Sequence, residues 1–322
     1  MKNGFLYIIV TLLPFYAGFS QDFHNSGFMH NQQYFNPAYA AMPVMNEFAM
    51  TYRNQWPGMA ASFVTYSASF IQPVSVINSG IGVAFLKDIE GGGIFSRTSA
   101  NLFYGYSFKA SRHLMVYSGI EASYVLRQFD LEGLVFPSDV LNTLGSSYPP
   151  VNISAYDKGY PDFSAGISGS YKKNFTLGLS ACHVTRPRES YSAGPESRLP
   201  VKYSLMASYR MPVGGKYNRQ GIILIPTVLY MHQGSSDEVV WGSSSEINVI
   251  TAAVWLRQNL SLHFSSLLLS LGIMQKKYTI LYSYDVNLTG VNFLSTKMGS
   301  HEVTFLFRFE YKRKKFGAVK CP

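Results

Sequence analysis

The sequence has little charge, few cysteines and no long apolar run after its first twenty residues. Charged residues make up 14% of the 322 positions, against roughly 25% in ordinary soluble domains. Two cysteines, Cys182 and Cys321, are too few for a disulfide framework. The best later apolar stretch, residues 260–274, is interrupted by His263 and several serines, so it falls short of the ~20 apolar residues of a spanning helix. These absences exclude a disulfide scaffold and a helical membrane protein, and they disfavour a soluble domain.

The first twenty residues have the pattern of a secretory signal peptide. Lys2 supplies a positive start, residues 5–15 form a short apolar core, and Gly18 and Ser20 place small side chains before Gln21. The apolar core is shorter than a spanning helix requires. We therefore expect cleavage after residue 20 and export of the mature chain.

What the sequence does contain is aromatic residues in an alternating pattern. Phe, Trp and Tyr make up 15% of the chain, yet the mean hydropathy is only +0.04. Around residues 163–171 large apolar side chains alternate with Ser and Gly, and Val303, Phe305 and Phe307 alternate in the same way. A strand with one lipid-facing and one lumen-facing side has this period of two. The pattern predicts an all-β fold, a transmembrane antiparallel β-barrel in the outer membrane.

About fourteen segments show this alternation, and the pattern allows twelve to sixteen. They are roughly residues 46–55, 61–71, 79–88, 95–109, 112–128, 161–172, 174–184, 200–211, 221–233, 238–248, 250–257, 262–275, 278–286 and 301–311. Pro226 makes one of them ambiguous. The connections alternate between a mostly short set and a set with several long members, such as 129–160. In bacterial barrels the long loops are extracellular, which gives the predicted topology.

Basic residues concentrate on the short-turn side, and acidic residues on the long-loop side. The chain ends in a basic tail, residues 312–322, beyond the barrel predicted for residues 46–311. We expect this tail to be a periplasmic docking site through Lys312, Arg313, Lys314, Lys315 and Lys320. Attraction to anionic lipid is the alternative reading of the same charges. Because the positive charge lies at one rim, nucleic acid is not an expected partner.

Residues 21–45 precede the first strand and are not barrel-like. They contain Asn36-Pro37-Ala38-Tyr39, where Asn-Pro marks a turn. Their aromatic and amide side chains favour a plug that packs into a polar lumen, and the alternative is a flexible periplasmic leader. Next, Arg53, Gln55 and Trp56 end the first strand, where Trp fits the interfacial aromatic girdle and Arg53 is predicted to point inward.

No pattern predicts catalysis, a metal or a cofactor. Asp162, Ser180 and His183 are the candidates for a hydrolytic set, but the alternation directs Ser180 inward and His183 outward, and no nucleophile motif surrounds them. His30 and His301 lack the spacing of a zinc site. The sequence therefore predicts a protein that is not an enzyme.

These motifs together resemble the PorP/SprF family of type IX secretion proteins. The resemblance rests on residues 28–41 with their Asn-Pro-Ala-Tyr-Ala core, the Arg53/Gln55/Trp56 spacing, Tyr282-Ser283-Tyr284-Asp285 and Ser300-His301-Glu302. The ending Lys320-Cys321-Pro322 is similar to the PorP branch, whereas Ala41 replaces the usual Gly. The Asn36-Pro37-Ala38 triplet is also similar to the hatch of FadL-type transporters.

The resemblance implies a role that the periodicity alone does not indicate. Members of the family serve a Bacteroidetes secretion machine, linked to gliding motility, that exports cargo bearing C-terminal signal domains. The expected partners are outer-membrane lipid, that cargo and periplasmic ring lipoproteins. The alternative hypothesis is a FadL-like or porin-like uptake channel.

Overall fold

The computed structural model describes residues 26–59, 62–130, 156–189, 198–213, 221–288 and 299–310. The predicted signal peptide, residues 1–20, and the basic tail, residues 312–322, lie outside these residues. The strands are β1 Asn46–Gln55, β2 Phe63–Val74, β3 Ser79–Glu90, β4 Phe95–Lys109, β5 Leu114–Phe129, β6 Tyr156–Tyr171, β7 Phe175–Cys182, β8 Lys202–Tyr209, β9 Met211–Val213, β10 Ile222–Gln233, β11 Ser236–Ile247, β12 Ile250–Gln258, β13 Phe264–Met274, β14 Tyr278–Asn287 and β15 Ser300–Phe309.

The strands form one closed antiparallel ring. Each pairs with its neighbour in sequence, β15 pairs with β1, and β8 pairs with β10. The short β9 continues β8 along the same edge of β10 after a break at Arg210, so the ring has fourteen positions. The predicted barrel of about fourteen strands is confirmed.

The ambiguous Pro226 lies inside β10. It is opposite Ser243 in the β11 ladder. On its other side, the break at Arg210 falls next to Ile225 and Pro226, between the pairs Thr227–Ser208 and Leu224–Met211. Proline has no N–H to donate, and the interrupted ladder accommodates that loss. Strand β10 is therefore continuous through Pro226, a point that the sequence alone did not decide.

Side chains alternate between the two faces of the wall. On β4, Leu102 is 61% exposed and its neighbour Phe103 is 2% exposed. The outward set is dominated by large apolar residues, while many Ser, Thr and charged side chains are buried on the inward set. A barrel in lipid needs this distribution, since its outer face contacts hydrocarbon.

The connections also follow the predicted alternation of short turns and long loops. The turn between β6 and β7 contains Lys172 and Lys173, both at positive φ. At the β11–β12 turn, Asn248 has φ 54. The predicted loop 129–160 is shorter than expected, because β5 extends to Phe129 and β6 begins at Tyr156. Within the described residues, no helix is long and apolar enough to cross a membrane.

Candidate functional site in the barrel lumen

The N-terminal segment, residues 26–45, contacts the inward face of the barrel. It contains three 3-10 turns, Phe28–His30, Gln32–Tyr34 and Pro37–Ala41. Its side chains reach opposite parts of the ring, because Gln33 donates to Ser69 of β2 while Phe28 packs against Trp255 of β12. Contacts on both sides place residues 26–41 inside the lumen, whereas Val44 is 93% exposed. Whether they also make it impermeable is a separate property, so the plug stays a prediction.

The start of the segment, Ser26 and Gly27, is bound by a group of buried charged side chains that we call the latch: Arg53, Asp285 and Glu302. The Glu302 carboxylate accepts hydrogen bonds from the backbone N–H groups of Ser26 and Gly27 at 2.8 and 2.7 Å. The Arg53 guanidinium lies 3.4 Å from Glu302 and 3.3 Å from Asp285, and it also donates to the Ser26 hydroxyl. Arg53, Asp285 and Glu302 are each at most 5% exposed.

The latch continues along the wall through Arg257 and Glu238. Arg257 lies 3.1 Å from Asp285 and 3.2 Å from Glu238. The network thus contains three carboxylates and two guanidinium groups. The backbone N–H groups of Ser26 and Gly27, which donate to Glu302, offset the additional negative charge. Removing one partner from such a buried network is costly because the other charge is left uncompensated. The latch therefore depends on the presence of the N-terminal segment.

Asn36, Pro37, Ala38 and Tyr39 form the middle of the segment. The Asn36 side chain caps the third 3-10 turn by accepting a hydrogen bond from the Ala38 N–H at 2.9 Å. Pro37 is the first residue of that same turn, a position where no N–H is needed. The same side chain donates to the carbonyl oxygens of Ile167 and Leu179 at 3.2 and 3.1 Å. Burial raises the pKa of the Tyr39 phenol to about 12, so Tyr39 stays neutral. The motif joins the segment to β6 and β7.

A row of glycines faces this motif, and we call it the glycine row: Gly80, Gly105, Gly119 and Gly166. The four are direct cross-strand partners on β3, β4, β5 and β6. A Cβ atom at Gly119 would overlap backbone atoms of Pro37 and Ala38, and one at Gly105 would lie 2.7 Å from the Ala41 nitrogen. Only glycine lets the segment backbone approach the wall this closely.

The opposite wall meets the segment with large side chains. Phe28, Phe35 and Tyr39 cluster with five buried residues from β8 and β10–β13, which are Met206, Leu229, Val240, Trp255 and Leu268. Phe28 packs on Trp255 with ring centroids 5.1 Å apart. Burying a large apolar side chain contributes about 1.5–3 kcal/mol, so this cluster adds substantially to binding of the segment.

His30 lies near Arg308, on the side of the lumen where β1 begins and β15 ends. Burial, and then the positive charge of Arg308, lower the pKa of His30 to about 4, so the ring is neutral at physiological pH. A cavity of about 320 Å³ lies beside it at the mouth on this side, with the pairs Arg210–Glu246 and Arg308–Glu47 among its lining. The segment therefore does not fill the lumen completely, and a cavity remains between it and the barrel wall on this side.

One orientation predicted from the alternation is wrong. His183 was expected to point outward, but it is 6% exposed and its Nδ1 pairs with Asp162. The reason is local: His183 follows the last residue of β7 and has φ 59, which breaks the period of two. Asp162 also accepts from the Thr185 hydroxyl at 3.0 Å. Ser180 points inward as predicted and donates to the Phe35 carbonyl oxygen at 2.5 Å.

The structure brings some predicted residues together and leaves others apart. Gln55 accepts from Arg53 at 3.3 Å, so it adjoins the latch, whereas Trp56 packs on Phe63 with centroids 5.3 Å apart. The five tail residues Lys312, Arg313, Lys314, Lys315 and Lys320 lie outside the described residues. The sequence reasoning missed the glycine row, although glycines at inward positions of four successive strands were a usable signal.

The closed barrel, its apolar outer face and its polar lumen define a transmembrane β-barrel protein. The chain matches the family model described as the type IX secretion system membrane protein PorP/SprF over residues 17–307. It therefore belongs to the PorP/SprF family, as the motifs predicted, and it is an outer-membrane protein. Arg53, Asp285 and Glu302, which come from three separate sequence motifs, meet in the latch.

Other comparisons add less. A search of curated protein sequences finds no match. The toluene transporter TodX of P. putida is 11% identical, with 86% of this chain and 93% of that chain covered and a TM-score of 0.49. A FadL homologue of Pseudomonas aeruginosa is 12% identical, with 85% and 93% covered and a TM-score of 0.46. Omp33 of Acinetobacter baumannii is 6% identical, with 82% and 98% covered and a TM-score of 0.47. At these identities and TM-scores, the ligands and functions of those proteins cannot be assigned to this chain.

Proposed function

We propose that this protein is a non-enzymatic component of the type IX secretion system whose lumen is closed by its own N-terminal segment. It acts by docking secreted cargo and periplasmic ring lipoproteins, and residues 21–45 serve as its plug. The observation that carries the proposal is that the segment is bound on opposite walls, by the latch on one side and the glycine row on the other. A barrel occupied in this way suits docking better than conduction.

The periplasmic face supports an acidic partner. The short turns expose six cations on this rim, namely Lys109, Arg112, Lys172, Lys173, Lys276 and Lys277. The tail residues 312–322 add five more, from Lys312 to Lys320. In the proposal, an acidic patch of a ring lipoprotein binds these cations, and the binding weakens as salt screens the charges.

Conductance in planar bilayers tests the closed lumen. The wild-type barrel is expected to be closed, and deletion of residues 22–45 is expected to produce open channels, because the latch and the glycine row lose their occupant. A Glu246→Gln variant is the matched control, since it removes one carboxylate from the pair with Arg210 at the periplasmic mouth and leaves the latch and the glycine row intact. Wild-type channels that a small solute blocks would favour the alternative, a FadL-like or porin-like uptake channel.

Co-purification from the native outer membrane tests the docking. Deleting residues 312–322 is expected to leave a folded, heat-modifiable barrel that no longer retains the ring lipoprotein, with loss of cargo export. A Lys276→Gln/Lys277→Gln variant should weaken retention less, because it removes two of the rim charges. Normal lipoprotein binding and export by the truncated protein would contradict the proposal, and would leave the tail as a lipid-binding end.

A further inference from the structure

The outer wall carries one ordered row of side chains near the extracellular end. In register across β14, β15, β1, β2 and β3 lie Tyr282, Val303, Tyr52, Tyr66 and Lys87. The rings of Tyr52 and Tyr66 are 5.3 Å apart. Tyrosines on the outer face of a barrel mark the level where hydrocarbon meets polar headgroups. Lys87 therefore lies at headgroup depth.

Below this row the outer wall has an apolar groove of about 530 Å³. Ala68, a small residue of its lining, is the cross-strand partner of both Met50 and Phe85, and Phe305 is another large side chain of the groove. Tyr52, Tyr66 and Lys87 line the same groove. The groove thus joins an apolar trough, at acyl-chain depth, to a cation at headgroup depth.

Lys87 has no counter-charge among the residues that the structure describes. It is exposed, and no ion pair with it is seen within the part of the chain that the structure describes. By the alternation of the described strands, it is also their only Lys or Arg that points outward. A cation on the lipid face of a barrel is unfavourable at the bilayer midplane and is tolerated near the interface, where lipid headgroups surround it. The membrane can therefore supply an anionic partner for Lys87.

We propose that Lys87 and the adjoining groove bind a phosphorylated, acylated lipid of the outer leaflet. The lipid phosphate pairs with the Lys87 ammonium, the hydroxyl groups of Tyr52 and Tyr66 lie at the same depth, and one acyl chain occupies the trough over Ala68. The occupant is an amphiphile, because a free phosphate ion would leave the trough empty and a neutral lipid would leave the ammonium without a counter-charge.

Native mass spectrometry of the delipidated full-length barrel tests this site. The probes are diphosphoryl lipid A, the same lipid after removal of its phosphates, and inorganic pyrophosphate. Wild-type protein is expected to bind the phosphorylated lipid about tenfold more tightly than the dephosphorylated one, which corresponds to one charge-assisted contact. Lys87→Gln should abolish that preference, while Lys277→Gln on the opposite rim should keep it.

A second variant addresses the groove, and circular dichroism and heat modifiability confirm folding of each variant. Ala68→Phe fills the trough, so it should weaken binding of both lipids by a similar factor while the phosphate preference remains. Equal binding of diphosphoryl lipid A by wild-type and Lys87→Gln protein would overturn the proposal. Pyrophosphate binding as tight as lipid binding would overturn it too, because the site would then recognise free phosphate.

Discussion

The two walls of the lumen contact the N-terminal segment by different physical means. The wall of β3–β6 meets it through the glycine row, where backbone lies on backbone. The wall formed by β1 and β11–β15 meets it with ionised side chains, above all Glu302 and Arg53. The glycine wall selects the shape of the segment, since any added side chain overlaps it. The charged wall contributes interactions that a change of one charge can weaken selectively.

This difference predicts distinct responses to substitution. Loss of a latch charge leaves an uncompensated ion in a buried place, whereas a methyl group in the glycine row only displaces a few backbone atoms. The charged wall should therefore give the larger effect on stability. The glycine wall should give a smaller effect with a clear dependence on side-chain volume.

Glu302→Gln is expected to have the largest effect. It removes the charge opposite Arg53 and weakens acceptance from the Ser26 and Gly27 N–H groups, so the free energy of unfolding should fall by about 3–5 kcal/mol. Thermal unfolding in detergent measures this loss, and protease cleavage near residue 30 reports release of the segment. The comparison variant is Glu246→Gln, whose pair with Arg210 is partly exposed and should cost at most about 1 kcal/mol. Similar losses for the two variants would contradict a special role for the latch.

Gly119→Ala is expected to have an intermediate effect. The new methyl group overlaps backbone of Pro37 and Ala38, and overpacking of this kind costs about 1–3 kcal/mol. Gly169→Ala in β6 is the matched control, because its Cβ would meet only Leu114 at an ordinary 3.7 Å. The two variants are compared by thermal unfolding and by hydrogen exchange of residues 36–41. If Gly119→Ala unfolds at the control temperature, the close approach of the segment is not needed for stability.

The pH response of His30 should be the smallest effect. Its pKa is about 4 in the folded protein and about 6.5 when unfolded, so between these values the unfolded state binds more protons. The contribution of neutral His30 to the free energy of unfolding is fully present above about pH 6.5, and it is lost as the pH falls towards 4. Between pH 6.5 and pH 5 the loss should be at most about 2 kcal/mol, because one pH unit in this window corresponds to about 1.36 kcal/mol. Thermal midpoints at pH 5 and 7.5 measure it, and His30→Asn should reduce the difference between them. An unchanged difference would assign the pH dependence to other groups.

The sequence by itself determined the barrel and the direction of most side chains. A period of two specifies which residues face lipid, so strand positions, the inward direction of Arg53 and the alternation of short turns and long loops followed from local pattern. The short sequence motifs also predicted membership of the PorP/SprF family, because they can be recognised without any knowledge of the fold. Local pattern failed at His183, where one residue at positive φ reversed the predicted direction.

Only the tertiary structure decided which inward residues meet. Arg53 and Glu302 are 249 positions apart, and they become partners because ring closure joins the first strand to the last. The glycine row depends on the register of four strands, and a slip of one residue in any pair would break it. Alternation specifies the face of each residue, but its height along the barrel axis depends on pairing and closure. The site in the lumen is therefore a property of the closed ring.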